Sequence, residues 1–234
     1  MNFENKTVMI TGAAGQLAQA VARAFAARGA SLVLVDRTRE RLAGIYGEED
    51  AARQHLAANL LDAGQVANAA AAAIERFGRI DVLCNIAGGF RMGQPVHATS
   101  DADWNAMFDL NARTVLHAVR AVVPHMQAAG GGKIVNVASN SAQKGAALVG
   151  AYCASKDAVI RLTEAMAAEL RDGGINVNCV LPSIIDTPDN RAAMPGADPA
   201  RWVAPEALAD VILFLASPAA RAVHGAALPV LGLS

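Results

Sequence analysis

The sequence lacks an excess of charge of either sign and any long apolar run. Its 20 Lys and Arg residues nearly balance its 21 Asp and Glu residues, so the net charge is −1, and like charges do not cluster. Nucleic acids and anionic membranes attract clustered basic residues, so this balance gives no basis for either partner. No apolar segment reaches the roughly 20 residues that span a bilayer. We therefore expect no nucleic acid and no membrane among its partners.

The sequence also has no Cys-x-x-Cys pair, and the pattern of its first residues argues against a secretory signal. Met1 to Lys6 is polar and is not the basic segment followed by an apolar one that a secretory signal requires. The three cysteines, Cys84, Cys153 and Cys179, form no Cys-x-x-Cys pair, so we predict reduced core residues. Together these features predict a soluble, cytoplasmic protein.

Metal-ligating patterns are missing as well. The five histidines are scattered, none forms a His-x-x-x-His pair, and none is spaced from a cysteine as metal ligands are. Two histidines one helical turn apart would place two imidazoles on the same face, where they could bind one ion. We therefore predict no metal site.

Short β-branched runs alternate with longer Ala-rich segments, the pattern of β-α-β units. The predicted strands are Thr7–Thr11, Ser31–Asp36, Gln54–Asn59, Ile80–Asn85, Lys133–Ser139, Asn176–Leu181 and Ala227–Leu231. The predicted helices are Gln16–Arg28, Ala63–Phe77, Asp101–Ala128, Gly150–Arg171 and Pro205–Ala216. We predict an α/β fold over residues 1–234: a single domain with a doubly wound, seven-stranded parallel sheet and helices on both faces.

Glycine and proline predict several element boundaries. Gly29, Gly78 and Gly173 stand where helices should end. Pro229 cannot donate a ladder hydrogen bond, so the last strand belongs at a sheet edge. The stretch Thr187–Val203 is the longest without clear periodicity, and we predict a mobile substrate loop there.

The turn after the first strand is a candidate phosphate site. Gly12 and Gly15 flank two alanines, and Gln16 and Leu17 then begin a helix. Small residues let a phosphate approach, and the first amides of a helix lack intrahelical partners. An ordinary tight strand-to-helix connection would have the same composition.

Asp36 ends the second strand, 24 residues after Gly12. A carboxylate there accepts hydrogen bonds from the adenosine ribose and repels a 2′-phosphate, which favours NAD(H) over NADP(H). The alternative is a helix-capping aspartate. Arg37 complicates the assignment because its guanidinium could bind that phosphate.

Tyr152 and Lys156 are four residues apart near the start of a predicted helix, so they share one face. A nearby ammonium favours the phenolate and lowers the phenol's pKa, which would make Tyr152 a general acid or base. Ser139 ends the fifth predicted strand, at the sheet edge where ligands bind, and its hydroxyl could hold a substrate oxygen. Its neighbours Asn140 and Ser141 could be mistaken for it.

The arrangement of these motifs resembles the short-chain dehydrogenase/reductase family in its single-domain, Rossmann-like form. The family's Asn-Asn-Ala-Gly element is similar to Asn85-Ile86-Ala87-Gly88, which follows the fourth strand. Its helix asparagine matches Asn111, and its serine, tyrosine and lysine match Ser139, Tyr152 and Lys156. The resemblance runs from Lys6 to about Leu231.

The resemblance implies roles that spacing alone does not. Lys156 would also hold the nicotinamide ribose, and Asn111 would support a water in a proton relay. The remaining cofactor contacts implied are Asn59 and Leu60 at the adenine, Asn85, Ala87 and Gly88 beside the ribose, and Pro182, Ile184 and Thr187 at the carboxamide.

One departure from the family pattern lies in the first turn, where glycine would be expected at Gln16 and Ala18. A register through Gly12, Gly15 and Ala18 resembles the family's longer branch. Only 78 residues follow Lys156, too few for that branch's added substrate domain. The resemblance therefore implies a short-form enzyme with an altered phosphate turn, in which Gln16 could weaken cofactor binding.

These observations predict an NAD(P)(H)-dependent oxidoreductase that interconverts a secondary alcohol and a ketone, with Tyr152 as general acid or base. Two alternatives stay open: a cofactor-binding regulatory protein without turnover, and a non-redox isomerase, dehydratase or dehalogenase on the same fold. Relatives imply a homotetramer or homodimer. Candidate substrate-pocket residues are Phe90, Met92, Leu148, Met194 and Trp202, with Arg91, Lys144 and Arg191 as possible anion partners.

Overall fold

The computed structural model describes residues 1–233. It contains one seven-stranded sheet in the order β3-β2-β1-β4-β5-β6-β7, with every neighbouring pair parallel. The strands are β1 (Thr7–Thr11), β2 (Ser31–Asp36), β3 (Arg53–Ala57), β4 (Val82–Asn85), β5 (Gly132–Val137), β6 (Ile175–Pro182) and β7 (Ala227–Val230). The predicted α/β fold class is confirmed, and Pro229 lies on an edge strand as expected.

Helices cover both faces of this sheet. They are α1 (Gln16–Ala26), α2 (Arg39–Tyr46), α3 (Ala63–Phe77), α4 (Asp101–Phe108), α5 (Thr114–Ala128), α6 (Gly150–Leu170), α7 (Pro188–Ala193) and α8 (Pro205–Ala216). Adjacent residues of β1 face opposite layers, as the two-residue period of a strand requires. Ile10 packs in a core with Leu208 of α8, and Met9 packs in a second core with Val119 of α5.

The prediction of one helix over Asp101–Ala128 is wrong. A π-helical segment, Asp109–Arg113, separates α4 from α5 and contains Asn111. Hydropathy periodicity does not reveal one extra residue in a turn. Such π segments often occur at functional sites because they turn a side chain away from the regular helical face.

Two helices are not predicted by the sequence pattern. In α2 only Leu42 is fully buried, so the apolar stripe that predicts a helix is missing. In α7, within the predicted loop Thr187–Val203, the hydroxyl of Thr187 accepts a hydrogen bond from the Asn190 amide (3.2 Å) and caps the helix. That stretch is therefore partly helical: its sequence has no apolar periodicity, but Thr187 caps the first turn of a helix.

Glycines end helices near the predicted points. Gly29 and Gly78 have positive φ, whereas after α6 the left-handed residue is Gly174 and not Gly173. Among residues 1–233, no helix combines the length and apolar character that a membrane span requires.

The strand order places the ends of β1 and β4 side by side at the centre of the sheet. The chain leaves β1 toward one helical layer and β4 toward the other, so a crevice opens between their carboxyl ends. Residues after β1, β2, β4, β5 and β6 meet at this edge.

Candidate active site

A cleft of about 1190 Å³ lies at the carboxyl ends of the strands. Every cofactor residue expected from the sequence lines it except Asn85, and so do Ser139, Tyr152 and Lys156. The expected residues that line it are Gly12, Gly15, Gln16, Leu17, Asp36, Arg37, Asn59, Leu60, Ala87, Gly88, Ser139, Tyr152, Lys156, Pro182, Ile184 and Thr187.

Gly12 needs its glycine for two reasons. Its φ is +65°, and a Cβ there would lie 2.8 Å from the Cα of Ala87, closer than carbon atoms approach. The loops after β1 and β4 therefore touch through this glycine. Because no side chain projects from position 12, a phosphate can approach the backbone of this turn.

The first turn of α1 offers free backbone donors. No side chain caps this helix, whose N-cap is Gly15, and the amides of Gln16, Leu17 and Ala18 donate to no group within residues 1–233. Unpaired amides at a helix N-terminus attract anions. The turn therefore fits a pyrophosphate despite the missing glycines.

Gln16 and Ala18 occupy ordinary backbone. Within residues 1–233 only Asn5 and Leu148 combine a side chain with positive φ, so glycine is not required at either position. Ala18 is fully buried against the sheet and Gln16 is exposed. The expected backbone cost of losing these two glycines is thus absent.

Asp36 is buried (8% exposed) at the end of β2. One carboxylate oxygen accepts from the Ala14 amide (3.0 Å), and the other accepts from the Arg37 amide (2.8 Å) and the Arg41 guanidinium (3.2 Å). Both oxygens therefore have protein partners, yet the side chain lines the cleft. The guanidinium of Arg41 is 59% exposed.

Tyr152 and Ser139 meet in the cleft. Burial raises the pKa of the Tyr152 phenol, while a hydrogen bond from Ser139 acts in the opposite direction. The ring of Phe90 packs edge-on against Tyr152, with centroids 5.0 Å apart. The pKa of Tyr152 is therefore raised, whereas the sequence predicts that the Lys156 ammonium lowers it.

Lys156 is 5% exposed, and its ammonium donates to the Val137 carbonyl (2.9 Å) at the end of β5. Burial lowers the pKa of Lys156 to about 8. A Cβ on Gly88 would lie 2.9 Å from both the Lys156 Nζ and the Asn111 Oδ1. Glycine at position 88 thus lets both side chains approach the loop after β4.

Asn111 lies behind the cleft wall and is 1% exposed. Its Oδ1 accepts from the Gly89 amide (2.9 Å), and its Nδ2 donates to the Gly89 carbonyl (3.1 Å) and the Ser155 hydroxyl (3.0 Å). Ser155 in turn donates to the Tyr152 carbonyl (2.8 Å). The side chain of Asn111 therefore joins the π segment, the β4 loop and α6.

Comparison with known proteins agrees with this geometry. A family model described as short chain dehydrogenase matches residues 6–197. The chain belongs to the short-chain dehydrogenase family. D-threitol dehydrogenase of Mycolicibacterium smegmatis is 34% identical over 98% of this chain and 93% of its own length. The protein is thus an oxidoreductase of this family.

Solved structures show the same fold. A gluconate 5-dehydrogenase from Burkholderia cenocepacia, in complex with NADP and tartrate, superposes with a TM-score of 0.90 at 32% identity, covering 99% of this chain and 95% of that one. An NAD⁺-bound xylitol dehydrogenase superposes with a TM-score of 0.90 at 26% identity, covering 99% and 100%. These two similar proteins are bound to different nicotinamide cofactors.

The residues of the Asn-Asn-Ala-Gly-like element of this short-chain dehydrogenase lie in two different environments. Ala87 and Gly88 line the cleft, whereas Asn85 is 2% exposed and donates to the Asn136 side chain (2.8 Å) inside the sheet. The side chain of Asn85, which the sequence predicts to contact the cofactor, thus lies in the sheet interior and not along the cleft.

The residues expected to contact the outer parts of the cofactor lie along the cleft. Asn59 uses its Oδ1 to accept from the Leu61 amide (3.1 Å), and Leu60 offers its carbonyl to His117 (2.9 Å). Both residues still line the cleft. In the element after β6, Ser183, which stands where the family has glycine, donates to the Leu231 carbonyl (2.8 Å) and ties this loop to the end of the chain.

The substrate candidates separate into two groups. Phe90, Arg91 and Met194 line the cleft. Trp202 is 7% exposed and belongs to the core, and Arg191 forms a two-bond ion pair with Asp186. The residues expected near the substrate that do not line the cleft are Met92, Lys144, Leu148, Arg191 and Trp202.

Several cleft residues are not predicted from the sequence. Asn190 and Asp189 lie on the unpredicted helix α7, and Asn140 is, in the sequence, only a neighbour that could be mistaken for Ser139. Tyr46, at the end of α2, does not line the cleft itself, but its hydroxyl donates to the Ala13 carbonyl of the phosphate turn. A capping threonine at Thr187 is the one available signal for the first two.

Proposed function

We propose that the protein transfers hydride reversibly between NAD(H) and a secondary alcohol or ketone, with Tyr152 as the general acid or base. The observation that supports this most directly is that Ser139, Tyr152 and Lys156 line the same cleft, where Ser139 lies close enough to Tyr152 to influence its pKa. A hydroxyl, a phenol and an ammonium side by side can hold one oxygen and exchange its proton.

The residues present fit a nicotinamide dinucleotide. The free amides of Gln16, Leu17 and Ala18 would hold the pyrophosphate, and the glycines at positions 12 and 88 leave the space that side chains would fill. Bound there, the cofactor supplies or accepts the hydride. Pro182, Ile184 and Thr187 would hold its carboxamide end, and Asn59 and Leu60 its adenine end.

The chain's own residues handle the proton. In carbonyl reduction Tyr152 gives its phenolic proton to the substrate oxygen while Ser139 donates a hydrogen bond to the same oxygen. In alcohol oxidation the proton returns to Tyr152. The raised pKa of Tyr152 keeps the phenol protonated at neutral pH, the form from which carbonyl reduction begins.

Lys156 and Asn111 support this exchange from behind. With a pKa of about 8, the Lys156 ammonium can release a proton toward Tyr152 without a large energetic cost near neutral pH. Asn111 fixes the backbone of Gly89 and, through Ser155, the first turn of α6 that carries Tyr152. We propose Asn111 as the support of a water that links Lys156 to solvent.

We further propose that NAD(H) is preferred over NADP(H). The supporting observation is that the buried Asp36 lines the cleft at the end of β2, where its negative charge would oppose a 2′-phosphate. Arg37 also lines the cleft and acts in the opposite direction, and Arg41 partly neutralises Asp36. The carboxylate is the buried member of this group, so its charge is screened less than the charges of the exposed arginines.

A neutral, polyhydroxylated alcohol is the substrate class that the cleft favours. Asn140 follows Ser139 in the lining, and its side-chain amide makes no hydrogen bond within residues 1–233, so it can bind a second hydroxyl. Arg91 already pairs with Asp103 (3.1 Å), and the exposed Asp189 adds negative charge. Threitol and xylitol, in the names of similar proteins, are compounds of this class.

Two further properties belong to the proposal. Residues Trp104 of α4, Leu116 of α5 and Leu228 of β7 leave 43%, 40% and 37% of their surface exposed, which supports a homodimer or homotetramer.

Three buried cysteines without disulfides support a reducing compartment such as the cytoplasm.

The test combines one variant with a cofactor and substrate panel. Wild-type protein is assayed with NAD⁺ and NADP⁺ on xylitol, D-threitol, gluconate and cyclohexanol, and nicotinamide absorbance is followed. We expect turnover with NAD⁺ on the polyols, and a loss of about 10²–10⁴-fold in kcat for Tyr152→Phe. NADH affinity, measured by calorimetry, should not change in that variant.

Three results would contradict parts of this proposal. Full activity of Tyr152→Phe removes the proton role of the phenol. Tight NADH binding without turnover on any substrate favours a regulatory protein. Turnover with constant nicotinamide absorbance favours non-redox chemistry.

A further inference from the structure

The peptide between Ala13 and Ala14, inside the phosphate turn, has both of its polar groups bound by side chains. The Tyr46 hydroxyl donates to the Ala13 carbonyl (2.7 Å), and the Asp36 carboxylate accepts from the Ala14 amide (3.0 Å). Each partner comes from a different element, Tyr46 from the end of α2 and Asp36 from the end of β2. This peptide is therefore held at both ends.

The polar groups of the next peptide are also paired, one with a side chain and one with the backbone. The Gln19 side chain donates to the Ala14 carbonyl (3.1 Å), and the Gly15 amide donates to the Gly12 carbonyl (2.9 Å). With these groups satisfied, the amides of Gln16 to Ala18 remain as the unpaired donors at the start of α1.

The direction of the Ala13 carbonyl matters electrostatically. Ala13, Ala14 and Tyr46 do not line the cleft, whereas Gly12, Gly15 and Gln16 do. The bond to Tyr46 thus keeps a carbonyl oxygen out of the space that an anion would occupy. If this peptide rotated, the partial negative charge of the carbonyl could face a phosphate and oppose the attraction of the helix N-terminus.

Tyr46 is well placed to act as a permanent donor. Its ring is half-buried against the core beside α1 and lies 6.2 Å from the ring of His55. Burial raises the pKa of the Tyr46 phenol, which keeps the proton on the oxygen. A polar group held in partly apolar surroundings contributes most when its hydrogen bond is made.

We propose that Tyr46 is a positioning residue for the cofactor, which sets the phosphate turn by holding the Ala13 carbonyl away from the cleft. This inference depends on the proposed binding of a nicotinamide dinucleotide. In this view, side chains outside the turn, and not the turn's own glycines, determine the orientation of the peptides at Ala13 and Ala14.

The test is the variant Tyr46→Phe, which removes only the hydroxyl. NADH binding to the full-length protein is measured by calorimetry, and kcat, KM for the cofactor and KM for the alcohol are measured separately. We expect NADH to bind about 3–10-fold more weakly, the effect of one net hydrogen bond. The KM for the cofactor should rise with it, while kcat and the KM for the alcohol stay unchanged at saturating cofactor.

Ile45→Ala is the matched control, because Ile45 lies on the same helix with 39% of its surface exposed. It should bind NADH like the wild type. A purely structural role for Tyr46 would lower the melting temperature of the cofactor-free protein without changing NADH affinity, and that result would overturn the proposal.

The outcomes separate this inference from the proposed function. If wild-type protein does not bind NADH or NADPH, the proposed function fails. If wild type binds and Tyr46→Phe binds equally well, the role of Tyr46 fails while the function stands. If Tyr46→Phe does not fold, Gln19→Met, which removes the bond to the Ala14 carbonyl, is expected to weaken NADH binding; unchanged affinity would then contradict side-chain control of the turn.

Discussion

At the residue scale, burial controls the ionisable groups of the candidate site. Lys156 is 5% exposed and its pKa falls to about 8, while burial raises the pKa of Tyr152. Both shifts favour the neutral form, as desolvation requires. Sequence spacing alone predicts that the Lys156 ammonium lowers the pKa of the phenol. In the structure, the Lys156 ammonium instead donates a hydrogen bond to the Val137 carbonyl at the end of β5.

The shifted pKa of Lys156 predicts a pH dependence of stability. Between about pH 8 and its unfolded value of 10.5, the unfolded chain binds more protons at Lys156 than the folded one, so the free energy of unfolding rises with pH. Relative to Lys156→Met, the wild type should gain about 1 kcal/mol between pH 7.5 and pH 9. Urea denaturation of both proteins at the two pH values measures this difference.

The comparison with Lys156→Met is needed because other groups act in the opposite direction. Burial raises the pKa of Cys84 and of Tyr46, so their contribution to stability is lost as the pH rises above about 9. Both proteins share these groups, and the difference between them isolates Lys156. A constant difference across the range would contradict the lowered pKa.

At the element scale, the connection from β1 to α1 and the π segment before α5 decide the geometry of the site. The first depends on one glycine with positive φ and on side chains that bind the turn from outside. In the second, the π-helical turn points Asn111 in a direction that a regular α-helix would not give it. Both are local departures from the periodic patterns on which sequence-based prediction depends.

Gly12→Ala tests the first of these elements. Its new Cβ would meet the backbone of Ala87 at a left-handed φ, so the turn must move. We expect a loss of about 1–3 kcal/mol in stability. We also expect NADH to bind at least tenfold more weakly, since a misplaced turn loses hydrogen bonds to the phosphates. Thermal unfolding and calorimetry measure the two effects.

Gly44→Ala provides the matched control for this substitution. Gly44 lies within α2 and has no positive φ, and a Cβ added to it would have no other atom within 4 Å. Alanine there should leave NADH binding unchanged and stabilise the helix by about 0.5–1 kcal/mol. Equal behaviour of the two alanine variants would contradict the assigned role of Gly12.

At the scale of the whole molecule, exposed apolar side chains lie on α4, α5 and β7, away from the cleft. Leu116 and Trp104 leave 40% and 43% of their surface exposed. Burial of such residues between copies of the chain would remove apolar surface from water. The edge strand β7 also has unpaired backbone groups that a second copy could cover.

Light scattering tests the proposed self-association. We expect a mass of two or four times the 24.1 kDa of one chain. Leu116→Lys should shift the mass toward the monomer, because burying a lysine between subunits is costly. Ile45→Lys, a similarly exposed position on α2, should not change the assembly. A wild-type mass near 24.1 kDa would contradict the proposal.

From the sequence alone one can predict the fold class and the order of the strands along the chain, and the family resemblance brings the expected residues to about half of those that line the cleft. Runs such as Ser31–Asp36 form buried strands because their apolar side chains are stable only away from water. The carboxyl ends of parallel strands then meet at one edge of the sheet. The resemblance of a few motifs, from Gly12 to Lys156, then pointed to the family.

How those residues are held depends on tertiary packing. It turned Asn85 into the sheet, placed Asn111 in a π segment, and brought Tyr46 and Asp36 to a single peptide of the phosphate turn. These contacts join residues 22 to 51 positions apart in the chain. A hydrogen bond between distant segments depends on their packing, and no local period in the sequence records it.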